Sequence, residues 1–133
     1  MAADRKNILV VDDSRTVTRI VQTALENEGY AVRCAFSGEE ALFHLQGCTP
    51  DLIILDVVMP QMSGLEVLAK LKDSPNTSAI PVIVLTVNGQ HDDVLEGYKL
   101  GAAYYITKPF KPAELIHGIQ IVLGREKQTS ATR

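Results

Sequence analysis

Tryptophan is absent from this 133-residue chain, and aromatic residues make up only 5% of it. Two cysteines, Cys34 and Cys48, stand alone without the paired spacing of a metal site or a disulfide framework. They read as small, semi-buried thiols. No apolar run approaches the roughly 20 residues that a membrane-spanning helix needs. The opening Met1-Ala-Ala-Asp-Arg-Lys-Asn7 is polar. The run that follows, Ile8 to Val11, is too short for a signal-peptide core and stops at two acids. No membrane contact is expected, and a cytoplasmic location is. Basic charge is not in excess either, since the formal net charge is −3. A direct nucleic-acid binder would show a basic face, so that class is not expected.

What is present is apolar residue in quantity. It makes up 46% of the chain, enough for one core without staples. Five short β-type runs alternate with helix-type segments: Ile8–Val11, Ala31–Ala35, Leu52–Leu55, Val82–Leu85 and Ala103–Ile106. Three of these are unbroken Ile, Leu and Val, the pattern of parallel strands covered on both faces. Val17, Ile20, Val21, Ala24 and Leu25 recur at helical spacing until Gly29 ends them. Ser37 with Glu40, and Ser63 with Glu66, have capping-box spacing. The Asp92–Leu100 segment reads as a less regular helix. Pro112 suits the first turn of a last helix whose buried stripe is Leu115, Ile116, Ile119, Val122 and Leu123. From Arg125 to Arg133 the chain is polar and aperiodic and reads as a frayed tail. The expectation is an α/β sandwich of helix, sheet and helix, with one domain over residues 1–124 and a tail or linker stub over 125–133.

In an open parallel sheet, ligands sit beyond the carboxyl ends of the strands. Asp12 and Asp13 follow the first run, Asp56 the third, Thr86 the fourth and Lys108 the fifth. Three carboxylates, a hydroxyl and an ammonium therefore converge on one sheet edge. Two carboxylates about 4 Å apart repel by about 4 kcal/mol at an effective dielectric near 20. The cluster must take up a proton or a cation. A hard divalent ion such as Mg²⁺ suits carboxylates together with phosphate oxygens. A carboxylate beside a metal and a lysine is also a credible nucleophile for phosphoryl transfer.

These residues resemble the receiver domains of response regulators across Asn7–Leu123. The matching pieces are Ile8-Leu-Val-Val-Asp-Asp13, Asp51-Leu-Ile-Ile-Leu-Asp-Val-Val-Met-Pro60 with Gly64, Pro81-Val-Ile-Val-Leu-Thr86, and Gly101-Ala-Ala-Tyr-Tyr-Ile-Thr-Lys-Pro-Phe110. Spacings of 43, 30 and 22 residues separate Asp13, Asp56, Thr86 and Lys108. The resemblance implies a flavodoxin-like (βα)5 fold with a parallel sheet of order 2-1-3-4-5. It implies that Asp56 accepts a phosphoryl group from a histidine kinase or a histidine phosphotransfer protein. Mg²⁺, or Mn²⁺ in its place, would be held by Asp13, Asp56 and the Val58 backbone carbonyl, with Asp12 acting mostly through water. Lys108 would bridge to the phosphoryl group, the Lys108–Pro109 bond would be cis, and Thr86 and Tyr105 would form the switch pair.

The chain would then catalyse only its own phosphorylation and dephosphorylation. Its changed surface would combine the Asp92–Leu100 segment, the fifth strand and the last helix, and would control a partner protein or a fused output domain. Homodimerisation through that surface is a further expectation. Val87 departs from the small residue common after the switch threonine in that family, and its branched side chain would narrow the path to Asp56. Val58 and Asn88 occupy positions that tune phosphoryl lifetime in relatives. On the last helix, Ile121 falls opposite the buried stripe, beside Glu114, Gly118 and Arg125; it reads as a single scattered exposed apolar residue, or as a contact point for a partner or a homodimer. An aspartyl-nucleophile phosphatase is a rival reading, but Val58 stands where its second acid would be. A dinucleotide or flavin binder is another, yet no glycine-rich phosphate loop follows the first strand.

Overall fold

The computed structural model describes residues 5–87 and 98–131, with side chains to residue 124. Its elements run β1 (Asn7–Val11), α1 (Arg15–Asn27), β2 (Ala31–Ala35), α2 (Gly38–Gly47), β3 (Leu52–Asp56), α3 (Gly64–Asp73), β4 (Val82–Val87), β5 (Tyr104–Lys108) and α4 (Pro112–Ala131). The five strands form one parallel sheet in the order β2-β1-β3-β4-β5. The expected flavodoxin-like sheet is therefore present. Of the helix expected over Asp92–Leu100, residues 92–97 lie outside the described residues, and Tyr98 and Lys99 are helical.

The unbroken apolar strands are buried on both faces because alternate side chains point to opposite sides. Leu9, Val11, Ile53, Leu55, Val82 and Val84 pack with Val67, Leu68 and Leu71 of α3. Ile8, Val10, Leu52, Ile54, Ile83 and Leu85 pack on the other side with Val21 and Leu25 of α1 and Leu115, Ile119 and Val122 of α4. Each such side chain contributes roughly 1.5–3 kcal/mol on burial.

Helix starts are set by serines. Ser63 and Glu66 form the full capping box, with Ser63 N donating to Glu66 Oε1 at 2.9 Å and Glu66 N to Ser63 Oγ at 3.2 Å. Ser37 Oγ accepts from Glu40 N at 3.0 Å, but the Glu40 carboxylate reaches one residue further back, to Phe36 N at 2.8 Å. Ser14 caps α1 by accepting from Val17 N at 3.2 Å. Gly29, at φ 94°, ends that helix as expected, and Tyr30 N donates to Leu25 O at 3.1 Å.

Three expectations change. Ile20 is exposed, and Thr18 takes its place beside Val21 and Leu25 on the buried face of α1. The last helix does not fray after Leu123. Its backbone stays helical to Ala131, because Arg125, Glu126, Lys127 and Gln128 are strong helix formers whatever their polarity. Nor is the Gly118 side of that helix free. Gly118 is buried, and a Cβ there would lie 3.0 Å from both Tyr104 and Ile106, so β5 occupies that side and Ile121 is half-buried. The cysteines are free, Cys34 half-buried and Cys48 exposed. Burial, with Glu26 and Glu40 nearby, pushes the Cys34 thiol pKa up, away from reactivity.

Candidate functional site

The strands run further than their apolar stretches, so Asp56 ends β3, Thr86 is the penultimate residue of β4 and Lys108 ends β5. Side chains at strand ends inherit the rigidity of the sheet ladder, here Asp56 opposite Leu85 and Thr86 opposite Thr107. Asp12 follows β1, and its amide donates to Ala35 O at 3.1 Å. It is completely buried, with Oδ1 accepting from Ser14 N at 2.9 Å and Oδ2 from Lys108 Nζ at 3.1 Å. Asp13 is exposed beside it.

Lys108 Nζ also stands 3.1 Å from Asp56 Oδ1, so one ammonium spans two buried carboxylates. Carboxylate oxygens of Asp12, Asp13 and Asp56 lie within 4.8 Å of one another. One cation against three acids leaves the cluster under-neutralised. Burial, and then the charge of Asp12, raise the Asp56 pKa to about 6, while Lys108 and the Val58 amide pull the other way. Burial alone would lower the Lys108 pKa, but the Asp12 hydrogen bond and the charges of Asp56 and Asp12 raise it overall. An all-oxygen donor set of this kind suits a hard divalent cation.

The loop after Asp56 is drawn tight. Val57 N donates to Leu85 O at 3.0 Å and Gly64 N to Val57 O at 2.8 Å. Gly64 lies so close that a Cβ would fall 2.1 Å from the Asp56 carbonyl oxygen. Gln61 takes a positive φ of 70° in the same loop. The Val58 side chain is exposed at its rim.

Thr86 is 2% exposed, and its Oγ1 has no hydrogen-bond partner among the described residues. Tyr105 is half-buried, and its ring meets Tyr98 edge-on with centroids 5.0 Å apart. The Lys108–Pro109 peptide bond is cis. Val87 is 42% exposed, pairs across the ladder with Lys108, and helps line an apolar groove of about 410 Å³ with Ile20, Val17 and Phe110. Asn88 lies outside the described residues.

Asp12, Asp13, Asp56 and Lys108 therefore come together as expected, while Thr86 follows Leu85, the ladder partner of Asp56. Ser14 went unread, although a serine directly after two acids and before a helical pattern is an N-cap signal. The groove and the Tyr98–Tyr105 contact carry no local signal, because they join segments distant in sequence.

Residues 8–120 match the family model of the response regulator receiver domain. The chain is 40% identical over 120 residues to the phosphate regulon transcriptional regulatory protein PhoB of Pseudomonas aeruginosa, covering 90% of this chain and 52% of that protein. It is 39% identical over 122 residues to the alkaline phosphatase synthesis transcriptional regulatory protein PhoP of Bacillus subtilis, covering 92% and 50%. The chain thus spans about half the length of these two regulators. Among solved structures, the chemotaxis response regulator CheY4 of Vibrio cholerae superposes with a TM-score of 0.84 at 34% identity, over 89% of this chain and 98% of that one. The receiver domain of the Francisella response regulator 1452 gives 0.83 at 33% identity, over 92% and 99%. Family match, sheet order and the converging acids agree: this chain belongs to the response regulator receiver domains of two-component systems.

Proposed function

We propose that the chain is a phosphorylation switch in which the Asp56 carboxylate accepts a phosphoryl group from a phosphohistidine of a histidine kinase or phosphotransfer protein. An Asp56 oxygen forms the new O–P bond as the donor P–N bond breaks, and the bonding pair leaves with the imidazole nitrogen. The observation that carries this reading is the ammonium of Lys108, 3.1 Å from both Asp12 and Asp56. Lys108 keeps the acid cluster together at rest and is placed to meet phosphoryl oxygens during transfer.

The three carboxylates fit Mg²⁺, or Mn²⁺, which Asp13, Asp56 and the Val58 carbonyl would hold, with Asp12 supporting the site. When bound, the ion supplies positive charge that stabilises the transferring phosphoryl group. Asp12 holds Lys108, and Ser14 N orients Asp12. Thr86 offers a buried hydroxyl with no partner among the described residues, suited to donate to a product phosphoryl oxygen. Tyr105 then turns inward behind it, changing the face made by the segment before β5, β5 itself and α4. Moving such an equilibrium from 1:99 to 99:1 takes about 5.5 kcal/mol of differential stabilisation, shared here among several contacts.

The chain catalyses only its own phosphorylation and dephosphorylation, acts in the cytoplasm, and passes its signal to a partner protein or a fused output domain. The test is incubation with acetyl phosphate and Mg²⁺, read by intact mass. Wild type gains one phosphoryl group, and Asp56→Ala gains none. Equal labelling of both proteins would overturn the reading.

A further inference from the structure

Arg15 is the first residue of α1, where the helix dipole favours acids and disfavours cations, and no acid occupies that first turn. It forms no ion pair among the described residues, although Asp12 and Asp13 precede it closely. Instead its guanidinium carbon lies 4.1 Å from the centroid of the Phe36 ring. Stacking engages the flat face of the guanidinium and leaves its edgewise N–H donors open.

Phe36 is itself fixed. Its amide donates to Glu40 Oε1 at 2.8 Å, and the carbonyl of the preceding Ala35 accepts from Asp12 N at 3.1 Å. Arg15 therefore rests on the end of β2, while Lys108 enters from β5, at the opposite edge of the sheet. The two cations differ in one respect. Lys108 is committed to Asp12 and Asp56, whereas Arg15 pairs with no carboxylate among the described residues.

We propose that Arg15, held over Phe36, is an anion-binding residue of the phosphoacceptor site that engages the phosphodonor's phosphoryl group before transfer. This rests on Asp56 being the phosphoacceptor. Arg15 forms no bond in the transfer itself; it raises the occupancy of the donor at the site.

The test follows phosphorylation of the full chain by acetyl phosphate with Mg²⁺, by intact mass, across donor concentrations and at two ionic strengths. Arg15→Gln should lose about fivefold in apparent donor affinity at low salt with the maximal rate unchanged, and the gap should close near about 0.5 M salt. Arg15→Lys should recover most of the loss, and Phe36→Leu should reproduce part of it. An Arg15→Gln protein phosphorylated like wild type at low salt, or a loss indifferent to salt, would overturn the proposal while leaving Asp56 in place. A wild type that takes up no phosphoryl group would overturn both readings.

Discussion

Gly64 touches the backbone of Asp56: a side-chain carbon at Gly64 would lie 2.1 Å from the Asp56 carbonyl oxygen. The contact ties the start of α3 to the end of β3 and fixes the loop that carries Val58. Gly64→Ala cannot be absorbed by a rotamer change, because the obstacle is main chain. A loss of about 1–3 kcal/mol or more is expected, the range for overpacking, and is measured by urea denaturation. An unchanged midpoint would mean that the loop is looser than described.

Thr86 holds a buried hydroxyl that has no partner among the described residues. Thr86→Val keeps the shape and removes the unsatisfied group, so the resting protein should gain about 1 kcal/mol. The same variant should accept a phosphoryl group yet show a smaller change in amide-exchange protection around β4 and β5 than wild type. A destabilised Thr86→Val would contradict this role for the hydroxyl.

The pH dependence of the metal-free protein follows from Asp56. Its pKa of about 6 in the fold exceeds the ordinary aspartate value of 3.8. Between those values the native state holds a proton that the unfolded chain has released. Stability therefore falls as pH rises through that window, by about 3 kcal/mol at most. Asp56→Asn should flatten this part of the curve in urea titrations. Mg²⁺ should stabilise wild type more at pH 7 than at pH 5, where Asp56 is largely protonated. Parallel curves for wild type and Asp56→Asn would contradict the assignment.

Val87 pairs with Lys108 across the ladder and lines an apolar groove with it, and we take this side as the path to Asp56. Val87→Ala opens that path, and phosphorylation by acetyl phosphate and subsequent hydrolysis should both speed up by about threefold, less than 1 kcal/mol of barrier. Unchanged rates would remove Val87 from the access route.

Much of the fold was legible because its signals are local. Ile8–Val11 and Leu52–Leu55 are apolar without alternation, and Ser63 with Glu66 marks a helix start within four residues. The chemical residues were legible because sheet topology carries each strand end to one edge, so Asp12, Asp56, Thr86 and Lys108 could be placed before any distance was known. Surfaces were not. Ile20 fits the helical period of α1 yet faces outward, since period alone does not say where Thr18 will be tolerated. Gly118 looked like part of an open face, but the missing side chain is what admits Tyr104 and Ile106. The extent of α4 is not legible from polarity, because polar residues of high helix propensity carry the helix on to Ala131. The stacking of Arg15 on Phe36 links residues from different elements and left no mark in the sequence.

The central claim is that Asp56, and neither of its acidic neighbours, takes the phosphoryl group. The most direct measurement is to phosphorylate the chain with acetyl phosphate and Mg²⁺, reduce the acyl phosphate with borohydride, and map the resulting homoserine by peptide mass spectrometry. The account predicts homoserine at position 56 alone. Homoserine at position 12 or 13, with Asp56 unmodified, would contradict it.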